Sequence, residues 1–211
     1  MRRQAARDEW SRVSGQRVDV DNFKRAETDR MFASLVHDAG GVNRLLHGRE
    51  PTPLDHQPVI RMNRDTLYSF VIVDMAQGAT LTLPDAGERY LSAMIVNEDH
   101  YINDVFHDAG TYELTQDRYG TPYVAVAVRI LVDPADPSDV AEVGRLQDQL
   151  RIEAVSNRPF VAPDHDTASL DAVRAELQAE ARGGFDSLSR RLVRTGGSAS
   201  RRCRDARFVG P

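Results

Sequence analysis

The ten residues 123–132, YVAVAVRILV, constrain the fold more than any other part of the chain. Val124, Val126, Val128 and Ile130 alternate with Ala125, Ala127, Arg129 and Leu131. A strand with this pattern buries one face fully and the other in large part, as a central strand does. Shorter β-type runs at 67–75, 80–83, 89–96 and 110–114, separated by Gly, Pro and Asp, supply its neighbours. The connections between them are too short for crossover helices, which need about a dozen residues, so the sheet is expected to be mainly antiparallel.

Helical periodicity flanks this β region. Residues 21–38 carry Met31, Phe32, Leu35 and Val36 three and four apart, with Asp19 or Asp21 to cap the start and Gly40-Gly41 to end it. Residues 42–46 add one further turn, and HGREPTPLDHQP, with three prolines and no apolar period, reads as a connecting loop. A second helix is expected at 137–152, capped by Ser138, with Val140, Val143, Leu146, Gln147 and Leu150 on one stripe. A third is expected at 169–181, ended by Gly183-Gly184. The resulting fold class is α+β: a twisted, mostly antiparallel sheet at 59–132, with the helices at 21–38 and 138–152 on one face. The domain reading is an arm at 1–20, a single α+β domain at 21–185 and a basic tail at 186–211 to which no regular structure is assigned.

Charge narrows the function classes. The net charge of −5 divides into −11 over residues 1–189 and +6 over 190–211, where seven arginines face one acid. An acidic body repels phosphate backbones, so no nucleic acid is expected on the main domain. No run of about 18 apolar residues occurs, which argues against a membrane span, and no apolar stretch of signal-peptide length follows MRRQAARDEW. The single cysteine, Cys203, allows no internal disulfide and fits a reducing, cytoplasmic setting.

Several short blocks together carry a family resemblance: Asn63, Asp65, Thr66, Leu67, Tyr68 and Ser69; Pro84 with Arg89-Tyr90; Gly120-Thr121; and Leu146-Gln147-Asp148. Across about residues 23–152 the chain resembles the bacterial family called domain of unknown function 1254. The resemblance implies a fold and no established reaction, although some relatives carry loose hydrolase or esterase labels. Longer relatives append a β-rich domain of unknown function 1214 and often an export signal, and this chain is expected to lack both. Relatives also carry a Gly-Trp-Gly-Gly-like element near the C-terminus, where this chain reads RTGGSASRRCRD.

Two clusters offer chemistry. In the first, Asn63 and Asp65 stand where a strand begins and suit an Asx turn, while Asp65 and Tyr68 pointing into a pocket would make a base and a proton donor. In the second, NEDHYINDVFHD gathers Glu98, Asp99, His100, Asp104, His107 and Asp108. Carboxylate beside imidazole fixes a tautomer for proton transfer or metal binding, but His100 and His107 match no zinc spacing, and a solvated loop is the reading favoured here. No metal site and no cofactor are expected; the absence of a P-loop and a dinucleotide fingerprint leaves nucleotide binding unsupported, and the absence of a Gly-x-Ser-x-Gly elbow leaves an α/β-hydrolase reading without its nucleophile signature. The catalytic candidates are Asp65, Tyr68, Asp99 and His100. The ligand-binding candidates are Asn63, Arg89, Tyr90 and His107, with guanidinium as a carboxylate clamp and tyrosine as an aromatic wall. The reading preferred is a non-catalytic module for a small-molecule ligand or an accessory role. The alternative is an acid–base, hydrolase-like enzyme for a small polar or ester-like substrate. Association into a homo-oligomer is left open.

Overall fold

Residues 123–131 take the centre of the larger of two antiparallel sheets, as their alternation requires. The computed structural model describes residues 15–55 and 63–182. Its elements are α1 (Phe23–Ala39), β1 (Leu46–His47), β2 (Thr66–Asp74), β3 (Ala79–Leu83), β4 (Leu91–Asn97), β5 (Ile102–Phe106), β6 (Gly110–Leu114), α2 (Gln116–Tyr119), β7 (Tyr123–Leu131), α3 (Pro137–Gln147), β8 (Arg151–Ala154) and α4 (Thr167–Arg182). The class is α+β, with a five-stranded sheet ordered β1-β2-β7-β4-β5 and a three-stranded sheet ordered β6-β3-β8. These residues form two compact units, 24–163 and a smaller one of 15–23 with 164–182.

In the larger unit β7 pairs with β2 from Thr66↔Leu131 to Asp74↔Tyr123 and with β4 from Leu91↔Ile130 to Asn97↔Val124. Val124, Val126, Val128 and Ile130 are wholly buried, and Arg129 and Leu131 reach solvent on the other face. The buried face joins Leu67, Val71, Val73, Ala93 and Ile95 to Leu81 and Leu83 of the small sheet and to Val143 and Leu146 of α3. The opposite face takes Phe32 of α1 against Ile72, Ala125 and Val96, with Met31, Leu35, Val36 and Phe160 around them. The helices expected on one face therefore lie on opposite faces, because both faces of β7 are apolar near its middle.

Several local expectations change. Helix α3 stops at Gln147, and its cap is Asp136, whose carboxylate accepts from the Ser138 backbone N–H at 2.8 Å. The chain beyond it becomes β8, paired with β3 from Ala79↔Ala154 to Thr82↔Arg151. The acid-rich run expected to be a loop contains β5, an edge strand paired with β4 through a bulge opposite Ile95 and Val96. After α1, Gly40 at φ 73° ends the helix with the Gly41 N–H on the Val36 carbonyl at 2.8 Å, the left-handed stop that glycine supplies. The extra turn expected at 42–46 gives way to β1 at Leu46.

In the smaller unit Gln16 pairs in parallel with His165, its N–H on the Asp164 carbonyl at 2.6 Å. Asp166 caps the start of α4 by accepting from the Ser169 N–H at 3.0 Å. Asp19, rather than Asp21, collects the N–H groups of Asp21 and Asn22 ahead of α1. The expected glycine stop at 183–184 and the tail at 186–211 lie outside the described residues. No helix among the described residues is long and apolar enough to cross a membrane.

Candidate ligand-binding site

The Asn63 block begins as an Asx turn. The Asn63 side-chain oxygen accepts from the Asp65 N–H at 2.7 Å, its amide donates to the Thr66 hydroxyl at 3.3 Å, and the Asp65 carbonyl accepts from Val132 N–H at 2.8 Å. The last of these bonds ties the start of β2 to the end of β7, while Asn63 and Asp65 themselves are exposed. Tyr68, two residues into the strand, is half-buried. Its ring lies nearly parallel to Phe70, 5.8 Å between centres and 9° between planes, and the Arg129 guanidinium carbon sits 5.3 Å from its centre.

Arg89, Tyr90 and His107 share this end of the large sheet. Arg89 grips Asp139 of α3 with two nitrogens, the longer contact at 3.0 Å, and donates to the Leu131 carbonyl at 2.7 Å. The Arg89 guanidinium, together with the Asp133 N–H, holds the Asp139 carboxyl down at about 2. Tyr90 is exposed, tilted against the His107 ring at 5.8 Å, and His107 donates from Nδ1 to the Leu91 carbonyl at 3.1 Å. Arg89 is thus a fastener between β4 and α3.

Asp99 and His100 lie at the other end, in the turn between β4 and β5. The buried Asn97 side chain builds that turn: its oxygen accepts from the N–H groups of Asp99 at 3.1 Å and Tyr101 at 3.0 Å, and its amide donates to the Tyr119 carbonyl at 3.0 Å. His100 is exposed and holds φ at 61°, a region that side-chain-bearing residues rarely occupy. Its Nδ1 is 2.9 Å from the Thr28 hydroxyl, which donates its one proton to the Lys24 carbonyl at 2.8 Å. Nδ1 must therefore be the donor, leaving Nε2 as the free ring nitrogen. The neighbouring carboxylates belong to Arg25, which reaches Asp29 at 3.0 Å, Glu98 at 2.8 Å and Asp99 at 3.0 Å. Burial raises the Glu98 carboxyl above its ordinary value, against the pull of Arg25. The cluster clamps α1 to the hairpin, and among the described residues no group of three or more His, Cys, Asp and Glu is arranged to hold a metal.

A cleft of about 290 Å³ opens beside Tyr68, lined by Leu46, His47, Glu50, Thr66, Tyr68 and Phe70 among others. Its walls are the short edge strand β1, the chain that follows it, and β2. Gln147 of α3, fully buried, fastens these walls by donating to the carbonyls of Gly48 and Tyr68, each at 3.1 Å. Arg49 adds a bond to the Gly144 carbonyl at 2.8 Å and an ion pair with Asp148 at 2.6 Å. His47 sets Nδ1 2.8 Å from the buried Ser69 hydroxyl, and burial followed by the Arg49 charge pushes its pKa below the ordinary 6.5. A wider hollow of about 480 Å³ lies open against the smaller sheet beside Thr80, Glu113 and Glu153, with no aromatic side chain in its lining. Of the sequence candidates only Tyr68 lines the cleft. His47, Glu50 and Phe70 were missed because 47–58 has no period and Phe70 reads as ordinary strand packing.

Fold and site define an α+β protein of two packed antiparallel sheets with a partly apolar lateral cleft. Residues 42–116, which carry β1 to β6 and every lining residue of that cleft, match the family described as Protein of unknown function (DUF1254). No curated protein matches the chain. Among solved structures, the chain is similar to the crystal structure of the VPA0106 protein from Vibrio parahaemolyticus, with 20% identity and a TM-score of 0.48 over 69% of this chain. The match spans 40% of that protein's length.

Proposed function

We propose that the chain is a non-catalytic module that holds a small ligand in the cleft between β1 and β2. The observation that supports this reading most is the separation of the acid–base candidates. Tyr68 pairs through Arg129 with Ser92, whereas Asn97, which carries the His100 turn, is level with Val73. Five residues along the strand and two strands across amount to roughly 17 Å and 10 Å. Asp65 and Tyr68 therefore cannot share a proton with Asp99 and His100. The cleft, by contrast, combines a mostly apolar wall with a few fixed polar groups, the usual make-up of a small-molecule site. The proposal includes a cytoplasmic setting, in line with the lone cysteine.

A thermal-shift screen over small sugars, esters, carboxylates and amines tests it, because a ligand that binds only the folded state raises the melting temperature. A shift retained in His100→Ala and lost in Tyr68→Ala is the expected result. A shift lost in His100→Ala and kept in Tyr68→Ala would move the site to the hairpin turn and contradict the proposal.

A further inference from the structure

We infer that the cleft is built for a small aromatic amine, a planar ring bearing a protonated amino group. The inference names a ligand class for the binding reading above and rests on it. The ring has a seat at Phe70 and Tyr68, which leave the same face of β2 two residues apart and lie nearly parallel at the cleft wall. Aromatic pairs prefer offset or edge contacts with centres about 4.5–7 Å apart, which such a wall can offer an incoming ring.

The polar end is set by Glu50. It lines the cleft, and among the described residues no cationic side chain pairs with it. Two of the described cations beside the cleft, Arg49 and Arg129, are already engaged elsewhere. Arg49 is held by Asp148 and the Gly144 carbonyl, and Arg129 lies over Tyr68 outside the cleft lining. Burial, followed by the Arg49 charge, disfavours the protonated form of His47. Its Nδ1 is occupied by Ser69, so Nε2 is the ring atom left for a ligand. An ammonium group entering the cleft gains the Glu50 carboxylate and the electron-rich ring faces together. A ligand carboxylate would meet Glu50 as a like charge. The charge of −11 over residues 1–189 also favours the approach of cations.

Three probes of matched size separate the possibilities: benzylamine, benzyl alcohol and benzoate, each titrated into the full chain while the ring resonances of His47 and Tyr68 are followed by NMR. The expected result is that benzylamine binds at least about tenfold more tightly than benzoate. Glu50→Gln, a change at an exposed side chain, should lower benzylamine to the level of benzyl alcohol. Equal binding of benzoate and benzylamine, or an unchanged preference in Glu50→Gln, overturns the amine assignment and leaves the cleft as a binding site. If none of the three probes moves the His47 or Tyr68 resonances, the binding reading of the cleft falls as well.

Discussion

Asn97 shows how much of this protein depends on single buried polar side chains. Its three hydrogen bonds fix the β4–β5 turn from beneath, from a position only 5% exposed. Asn97→Ala should cost about 2 kcal/mol in urea unfolding, the scale of leaving buried partners unsatisfied. Asp74 plays the matching role at the far end of β2. It is wholly buried, and the Arg158 side chain, the Arg158 N–H and the Ala76 N–H keep its carboxyl at about 2 against the burial that would raise it. Asp139 is held at about 2 by Arg89. A folded pKa below the ordinary 3.8 means that each carboxylate's contribution is fully present above about pH 4 and is lost as pH falls toward 2. Thermal unfolding followed by circular dichroism should therefore show a falling midpoint from pH 4 to pH 2, with a shallower fall in Asp74→Asn. At this scale the sequence was informative where the backbone itself makes the demand. Asn63 stands at the start of a strand with an acceptor two residues from an N–H, and its Asx turn follows. His47 gave no such signal, since its value comes from Ser69, twenty-two residues away across a strand pair.

Elements were legible in proportion to the length over which their period runs. Strand β7 keeps its alternation for nine residues, and Val124, Val126, Val128 and Ile130 are all buried as it requires, with Ala125 buried on the other face as well. Strand β5 has five residues, and the bulge opposite Ile95 and Val96 breaks its period, so its acids read as loop. The helix expected to reach residue 152 was drawn on by Leu150, which fits the stripe and is buried, but buried at the turn into β8. Ile152 and Ala154 then alternate inward beside β3. This makes β3 the middle strand of the small sheet, and its Leu81, with no exposure, sits where both neighbours and the large sheet meet. Leu81→Ala should cost about 3 kcal/mol, measured as a lower urea midpoint at unchanged slope.

In the larger unit as a whole, the large sheet is covered differently on its two faces, and the sequence could not say which helix goes where. Ala125 and Ile72 are as apolar as Val126 and Val71, so pattern alone leaves the two faces equivalent near the centre. The cleft was half visible for a related reason. Thr66 and Tyr68 belong to a recognisable block, while His47 and Glu50 lie in a Pro-rich stretch whose position beside β2 depends on the pairing of β1 and on Gln147 reaching across from α3. Gln147→Leu removes both bonds to the Gly48 and Tyr68 carbonyls and should loosen the cleft, seen as faster amide exchange at residues 46–48 while β7 stays protected. The account's central claim is that ligands enter at this cleft and not at the His100 turn. Amide chemical-shift mapping with whichever small molecule raises the melting temperature most tests it directly. Perturbations gathered on residues 46–52 and 66–70, with residues 97–101 unmoved, are the predicted result; perturbations centred on residues 97–101 would contradict it.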